Sequence, residues 1–169
     1  MILDNNLSLG SFATGASLSA GTYDLPDVVD LRSNTNYAAT ASGSLYTIAQ
    51  GTQTVDVGAG SDLLLIFTVT TAFAGGTNVA FQAVTDSTSD LDTTPLVCGE
   101  VGPIATASLT VGTQIVVRIT PQQQLGGSLQ RYLGANLVTT GTYTAGTVRG
   151  DIVLDIQDRR NYAAGFVVS

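Results

Sequence analysis

The sequence contains no histidine, no lysine and no tryptophan, and it has a single cysteine, Cys98. Without histidine, the chain can build neither a Ser-His-Asp triad nor a Cys-His pair, nor an ordinary zinc or copper site. Nucleophilic chemistry by lysine is excluded as well. A lone cysteine cannot form an internal disulfide and is most often a small buried hydrophobe. We therefore expect a protein that is not an enzyme and needs no cofactor.

Charged residues are also scarce, at 11% of the chain against roughly 25% in ordinary globular proteins. The six arginines are scattered apart from the pair Arg159 and Arg160, and the net charge is -7. Binding to nucleic-acid phosphates or to an anionic membrane requires clustered cations, so we expect neither partner. A surface with few charges suits contact with proteins, which favours a homo-oligomer, dimer or trimer, or a component of a larger assembly.

Targeting and membrane-spanning segments are missing from the pattern too. The opening "MILDNNLSLG" carries an acid, Asp4, and no basic residue, which is unlike a secretory signal peptide. No apolar run approaches the ~18 residues that a membrane-spanning helix needs. These features predict synthesis in a reducing cytoplasm.

What the sequence does contain is typical of strands and turns: many Val, Thr, Ser and Gly residues. The strongest strand is "LLLIFTVTTAF" (63–73), which is apolar on both faces at its start and should be central or covered on its second face. "AGG" (74–76) supplies the small residues of a tight hairpin. "TNVAFQAV" (77–84) alternates as a half-buried strand does.

Strand-like segments recur along the chain at short intervals, which predicts an all-β fold, an antiparallel β-sandwich of jelly-roll type. The further predicted strands are 44–49, 52–57, 104–111, 113–121, 131–140 and 147–158, with a hairpin-like turn at 141–146. The predicted core residues are Leu63, Leu65, Phe67, Val79, Phe81, Ile152, Leu154 and Ile156.

We expect a single domain over residues 1–169. Residues 1–40 are predicted to be an irregular N-terminal arm or loop region with one short strand at 27–31. Residues 41–158 should form the sandwich, and residues 159–169 a C-terminal tail.

The loop "DSTSDLDTTP" (86–95) holds the best candidates for paired-carboxylate chemistry or for an ion, Asp86, Asp90 and Asp92. Their spacing differs from that of an EF-hand, because no glycine follows at the required place and no glutamate closes the loop. The simpler interpretation is a polar loop in which Asp and Ser cap turns. The sequence leaves both interpretations open.

Three stretches in order carry a resemblance to a known family. They are "MILDNNLSLG", "LLLIFTVTTAFAGGTNVAFQAVTDS" (63–87) and "RYLGANLVTTGTYTAGTVRGDIVLDIQ" (131–157), followed by "RRNYAAGF". Together they resemble the Bbp16-type capsid cement, or decoration, proteins of tailed bacteriophages. The region 11–58 departs from that pattern by being longer and richer in loops.

The resemblance implies a jelly-roll protein on the outer surface of an icosahedral phage head. Such a protein is made in the host cytoplasm and becomes part of the virion, where it binds the major capsid protein and copies of itself and stabilises the capsid lattice. The acidic charge agrees with a position outside the shell, away from the genome.

Two other functions remain open at this stage. One is a carbohydrate-binding or adhesin-type jelly-roll module, for which Tyr37, Tyr46, Tyr132, Tyr143 and Tyr162 are candidate aromatic platforms. The other is a different virion part, such as a head–tail or fibre domain.

The candidate interface residues lie at the two ends of the chain, beyond the regular strands: Ile2, Leu3, Arg159, Arg160, Tyr162 and Phe166. Terminal segments fray unless something holds them. We expect at least one end to lie against a neighbouring subunit, with an arginine paired to a carboxylate and an aromatic anchor. The alternative is that both ends fold back onto the sandwich of their own chain.

Overall fold

The computed structural model describes residues 7–31, 63–120 and 130–153. These residues form nine strands and a short 3-10 turn at Thr106–Ser108. The strands are β1 (Ser8–Ala13), β2 (Gly21–Asp24), β3 (Val29–Asp30), β4 (Leu63–Gly75), β5 (Asn78–Asp86), β6 (Leu96–Ala105), β7 (Gln114–Ile119), β8 (Tyr132–Thr140) and β9 (Tyr143–Val153). Within this part of the chain there is no helix with the length and apolar character to cross a membrane.

The strands make two antiparallel sheets. The four-stranded sheet has the order β1-β9-β4-β7, and the five-stranded sheet has the order β2-β8-β5-β6, with β3 also pairing with β8. Because β2 and β3 pair with successive parts of β8, they act as one interrupted strand. These features confirm the all-β antiparallel sandwich predicted from the sequence.

The pairing is nested, as in a long hairpin that has been folded over. The innermost pair is β5 with β6, then come β4 with β7 and β2 with β8, and the outermost pair is β1 with β9. Further pairs, β4 with β9 and β5 with β8, join the folded ribbon into two sheets. Nested pairs distributed over two sheets in this way give the jelly-roll topology.

The core lies between the sheets and consists of side chains of one parity from each strand. Phe67 of the four-stranded sheet meets Phe81 of the five-stranded sheet with ring centroids 5.0 Å apart, and neither ring is exposed. Leu65, Val79 and Ile152 are buried as predicted, and Leu63 packs against the core while partly exposed. The other two predicted core residues, Leu154 and Ile156, lie outside the described residues.

Strand β4 is central, as its two apolar faces predict. It pairs with β9 on one side and with β7 on the other. Leu65 and Phe67 point into the core, so Ile66 between them points to the opposite face of the sheet. Ile66 is nevertheless only 3% exposed, so this second face is also covered there.

Two turns that the sequence predicts as hairpins instead carry the chain from one sheet to the other. The turn after β4 leads from the four-stranded to the five-stranded sheet, and the turn between β8 and β9 leads back. Gly75 and Gly76 have positive φ, and the ring of Tyr143 packs directly on Gly76. A hairpin within one sheet and a crossover between two sheets both need a tight glycine turn. The two differ in which strands pair with each other, and local sequence does not encode that pairing.

The predicted strand at 104–111 is wrong. Strand β6 ends at Ala105, and the chain then makes a 3-10 turn that places Leu109 in the core with no exposed surface. The alternation of apolar and small residues in "IATASLTV" resembles a strand, but only its first residues belong to one. The physical reason is that Leu109 fills the end of the sandwich, where the chain must turn.

The expectation of an irregular region before residue 40 is wrong at residues 8–13 and 21–24, which form β1 and β2. Strand β1 is an edge of the four-stranded sheet, and its Leu9 has no exposed surface. Strand β2 is an edge of the five-stranded sheet, and the expected strand at 27–31 appears as β3. Glycines and serines weaken the apolar alternation of these strands, whose stability comes from pairing with β8 and β9. The predicted strands 44–49 and 52–57, and the tail 159–169, lie outside the described residues.

Candidate interaction face

One row of polar residues crosses the outer face of the five-stranded sheet, with one residue from each of four strands. The register aligns Asp24 of β2 with Asn136 of β8, Asn136 with Gln82 of β5, and Gln82 with Glu100 of β6. The flanking residues of β5 and β8 belong to the core, so this row points outward. We call Asp24, Asn136, Gln82 and Glu100 the polar row.

Hydrogen bonding along the polar row is incomplete. The Nε2 of Gln82 donates to the Oε2 of Glu100 at 2.5 Å. Asn136 is only 4% exposed, and its Oδ1 accepts no hydrogen bond within the described part of the chain. A buried carbonyl oxygen nearly always has a donor. The centre of the row therefore presents an acceptor without a partner.

The loop 87–95, between β5 and β6, lies over the same face. Leu91 is 2% exposed and takes a positive φ of 55°, which is unusual for a residue with a branched side chain. A Cβ on Gly134 would lie 2.5 Å from Cδ1 of Leu91 and 3.0 Å from Cγ1 of Val28. Gly134 thus lets the loop and the segment after β2 approach the sheet closely, two residues from Asn136.

Asp86 holds this loop in shape. Its carboxylate has no exposed surface, and it accepts backbone N–H bonds from Thr88 at 3.1 Å and Thr94 at 2.9 Å and a hydroxyl bond from Ser87 at 3.0 Å. Burial by itself would raise the pKa of Asp86. The hydrogen bonds from Thr88, Thr94 and Ser87 outweigh that effect and lower the pKa.

The structure therefore supports the simpler of the two interpretations of the loop acids. Asp86 is taken up by the loop's own hydrogen bonds, while Asp90 and Asp92 are exposed at either side of Leu91. Among the described residues, no three acidic or cysteine side chains converge as metal ligands would.

The electrostatic character of the face is negative. Partial loss of solvation, followed by repulsion from Asp92, Asp90 and Asp86, raises the pKa of Asp24. Glu100 adds another exposed acid at the far end of the polar row.

Within the described parts of the five-stranded sheet and its loops, Arg131 is the one cation. It binds Asp30 in a fork, with Nε to Oδ1 at 3.0 Å and Nη2 to Oδ2 at 2.7 Å. Its guanidinium also lies 4.9 Å from the centre of the Tyr132 ring. This cation joins β3 to β8, and its charge is already engaged there.

The outer face of the four-stranded sheet differs in sign. It carries Arg118 on β7 and Arg149 on β9, and Arg149 binds Asp151 at 3.0 Å and Ser8 at 3.3 Å. Since the two faces of the sandwich differ in charge, they suit different neighbours.

The residues that the sequence singled out have different outcomes. The six candidate interface residues at the ends of the chain lie outside the described residues, as do Tyr37 and Tyr46. Tyr143 is completely buried and its hydroxyl donates to the carbonyl of Asn78 at 2.6 Å, so it cannot be a surface platform. Cys98 is buried as expected, and burial raises the pKa of its thiol, which makes it unreactive.

Sequence reasoning missed the polar row because its members come from four distant strands. In the sequence, Asn136 and Gln82 are single polar residues within strands, a pattern that ordinary solvent-facing positions share. One local signal was present: Gly134 lies inside a strand, and a glycine there often marks a close approach of another segment.

Comparison with curated proteins gives no sequence match for this chain. The family model named Bbp16 matches residues 27–152, which include most of both sheets. That match covers most of the sequence and agrees with the resemblance seen in its motifs, and the chain therefore belongs to the Bbp16 family.

Proposed function

We propose that this protein is a capsid cement, or decoration, protein that binds the outer surface of an icosahedral phage head and stabilises the lattice of the major capsid protein. The observation that carries the proposal is membership of the Bbp16 family. The resemblance of the sequence motifs to capsid cement proteins of this type supplies the expected role. On this proposal the protein resides on the virion surface and acts by adhesion.

Three properties of the protein support an adhesive role. The sandwich presents an outer sheet face with a continuous polar row, and beside it lies a loop that is held by hydrogen bonds to Asp86. That face is acidic, as a component kept away from the packaged genome should be. Only 11% of residues are charged, and a surface with few charges can be buried against protein neighbours on several sides.

The two candidate tyrosines within the described residues do not favour the carbohydrate-binding alternative. Sugar sites usually present open aromatic platforms, but Tyr143 is buried and Tyr132 lies beneath the guanidinium of Arg131. Tyr37, Tyr46 and Tyr162 lie outside the described residues. We therefore do not advance it as a second function.

The test is cosedimentation of the purified chain with empty shells assembled from the major capsid protein of the same phage. We expect binding that saturates at a fixed ratio to the capsid protein and raises the temperature at which the shells disrupt. Binding to a glycan array with no retention on shells would overturn the proposal in favour of the carbohydrate-binding alternative.

A further inference from the structure

Within the described part of the chain, the side-chain amide oxygen of Asn136 lacks a hydrogen bond on the outer face of the five-stranded sheet. It is 4% exposed, and its Oδ1 has no hydrogen-bond donor within the described residues. Its neighbours on both sides are fixed by the sheet register: Gln82 donates away from it to Glu100, and Asp24 is its direct partner on the edge strand β2.

Asp24 and Asn136 form a pair of adjacent acceptors. Directly opposed residues of antiparallel strands place their Cβ atoms about 4.5–5.5 Å apart, on the same side of the sheet. The carboxylate of Asp24 is exposed at this edge, and Asp92 and Asp90 of the loop are near enough to repel its charge. The place is thus rich in acceptors and negative charge and short of donors.

We propose that Asp24 and Asn136 together receive the guanidinium group of an arginine that a protein partner presents to the outer face of the five-stranded sheet. A guanidinium is planar and offers parallel N–H donors, which suits two neighbouring acceptors better than a single ammonium does. The terminal torsion of an asparagine is soft, so a rotation of the amide turns Oδ1 toward the surface. Asp90 and Asp92 supply further attraction at the rim.

A divalent cation fits this place less well. Calcium prefers six or more oxygen ligands with several carboxylates among them, and no three acidic side chains converge in the described part of the structure. The nearby cation of the same chain, Arg131, is held by Asp30 and Tyr132. Only the identity of the partner, a capsid protein subunit, rests on the proposed function.

The test uses the full chain and L-argininamide as the probe, followed by ¹⁵N–¹H NMR. We expect saturable shifts at the side-chain amide of Asn136 and at backbone amides of β2 and of the loop 87–95. Asp24→Asn should weaken the apparent affinity by about tenfold or more, since a charged acceptor is lost. The matched control is Asp27→Asn, which removes the same charge from an exposed position outside the polar row and should leave the affinity unchanged.

Three results would overturn the inference. The first is an equal response to L-citrullinamide, which has nearly the same shape and the same α-amino group but a neutral ureido group in place of the guanidinium. The second is an Asp24→Asn variant that binds L-argininamide as the original chain does. The third is saturation of the same resonances by CaCl₂ at lower concentration, which would make this a metal site.

Shell binding separates this inference from the proposed function. If the original chain cosediments with shells and Asp24→Asn does so equally well, the arginine site is wrong and the cement function stands. If neither chain binds shells while the L-argininamide titration behaves as expected, the cement function is wrong and the site stands.

Discussion

Asp86 is an acid whose role is to organise its own loop. It is fully buried, and both carboxylate oxygens accept hydrogen bonds, Oδ1 from Thr88 and Oδ2 from Thr94. Asp86→Asn replaces one acceptor by a donor that faces a backbone N–H. We expect the free energy of unfolding, measured with urea at pH 7, to fall by about 2–4 kcal/mol. Asp90→Asn, in the exposed part of the same loop, is the control and should change it by less than about 0.5 kcal/mol.

The contribution of Asp86 to the free energy of unfolding also has a predictable pH dependence. Because its pKa is lowered in the folded state, the folded protein binds a proton here less readily than the unfolded chain does. The stabilisation is therefore fully present above the ordinary value of 3.8 and is lost as the pH falls below it. The difference in unfolding free energy between the original chain and Asp86→Asn should shrink over that range. A difference independent of pH would show that the ionised carboxylate is not what holds the loop.

Gly76 illustrates a second role at the residue scale, that of making room. A Cβ at this position would lie 2.2 Å from Cζ of Tyr143, and φ is +55°. Gly76→Ala must displace a buried ring that also makes hydrogen bonds with Asn78 and Thr106. We expect a loss of about 2–4 kcal/mol in unfolding free energy by urea titration.

Gly15→Ala provides the matched control for Gly76→Ala. Gly15 has a similar φ of +65°, but a Cβ there would meet nothing within 4 Å. Gly15→Ala should lower the free energy of unfolding by about 1 kcal/mol, which is the cost of placing alanine at a positive φ without any side-chain clash. Equal losses in the two variants would mean that contact with Tyr143 is unimportant.

How far the sequence predicts individual residues depends on whether strand parity decides their burial. Phe67, Phe81 and Ile152 are buried because alternation within a strand fixes which face points inward. Leu91 is buried for another reason, since a loop folds back over Gly134. No periodicity signals such a contact, so it becomes visible only in the structure.

At the scale of elements, strands could be located better than their connections. Strands β4, β5, β7 and β8 lie where alternation predicts them. The turn after β4 and the turn before β9, which lie at the same end of the β4–β9 pair, were expected to make hairpins, yet each crosses between sheets. Turn residues define how sharply the chain bends. Which sheet the next strand joins depends on where its apolar face can be buried, and this is a property of the whole core.

The N-terminal strand β1 is an integral element of the sandwich. Leu9 has no exposed surface, and β1 pairs with β9 along the edge of the four-stranded sheet. A variant that begins at Ala16 lacks this strand. Loss of Leu9 alone should cost about 2–5 kcal/mol, a large share of the 5–15 kcal/mol that stabilises a typical domain.

We therefore expect the variant that begins at Ala16 to lose its cooperative thermal transition by circular dichroism. Leu9→Ala is a milder companion variant and should keep the transition at a lower melting temperature. If residues 1–40 contributed nothing to the stability of the sandwich, both variants would melt as the original chain does.

At the scale of the whole molecule, the nested strand order places residues from opposite ends of the chain side by side. Ser8 is the register partner of Asp151, and Gly21 is that of Thr139. The sequence predicts a sandwich because many short strands with turns have few other ways to bury their faces. It does not predict the polar row, since the juxtaposition of Asp24, Asn136, Gln82 and Glu100 depends on the register of three strand pairs.

The surplus of negative charge, -7 over the whole chain, leads to a last prediction about stability and binding together. Partial desolvation and the neighbouring acids raise the pKa of Asp24, so the folded protein holds a proton there more readily than the unfolded chain. Protonated Asp24 stabilises the fold at pH below the ordinary value of 3.8, and this contribution is lost as the pH rises through the folded pKa. At pH 7 the ionised carboxylate is therefore unfavourable in the free protein. A side chain that lowers the stability of the free protein is typical of positions that serve binding to a partner.

Asp24→Asn should accordingly raise the melting temperature of the free protein at pH 7, by about a degree because the group is exposed and screened. The gain should vanish near pH 3, where the original side chain is protonated. The same variant should bind capsid shells more slowly, and the difference from the original chain should shrink as NaCl is raised, because salt screens charge-steered association. Asp27→Asn makes the same change in net charge outside the polar row and should alter shell binding little. A variant Asp24→Asn that is less stable at pH 7 would contradict the stability prediction. An equal slowing by Asp27→Asn would show that net charge rather than this face governs association.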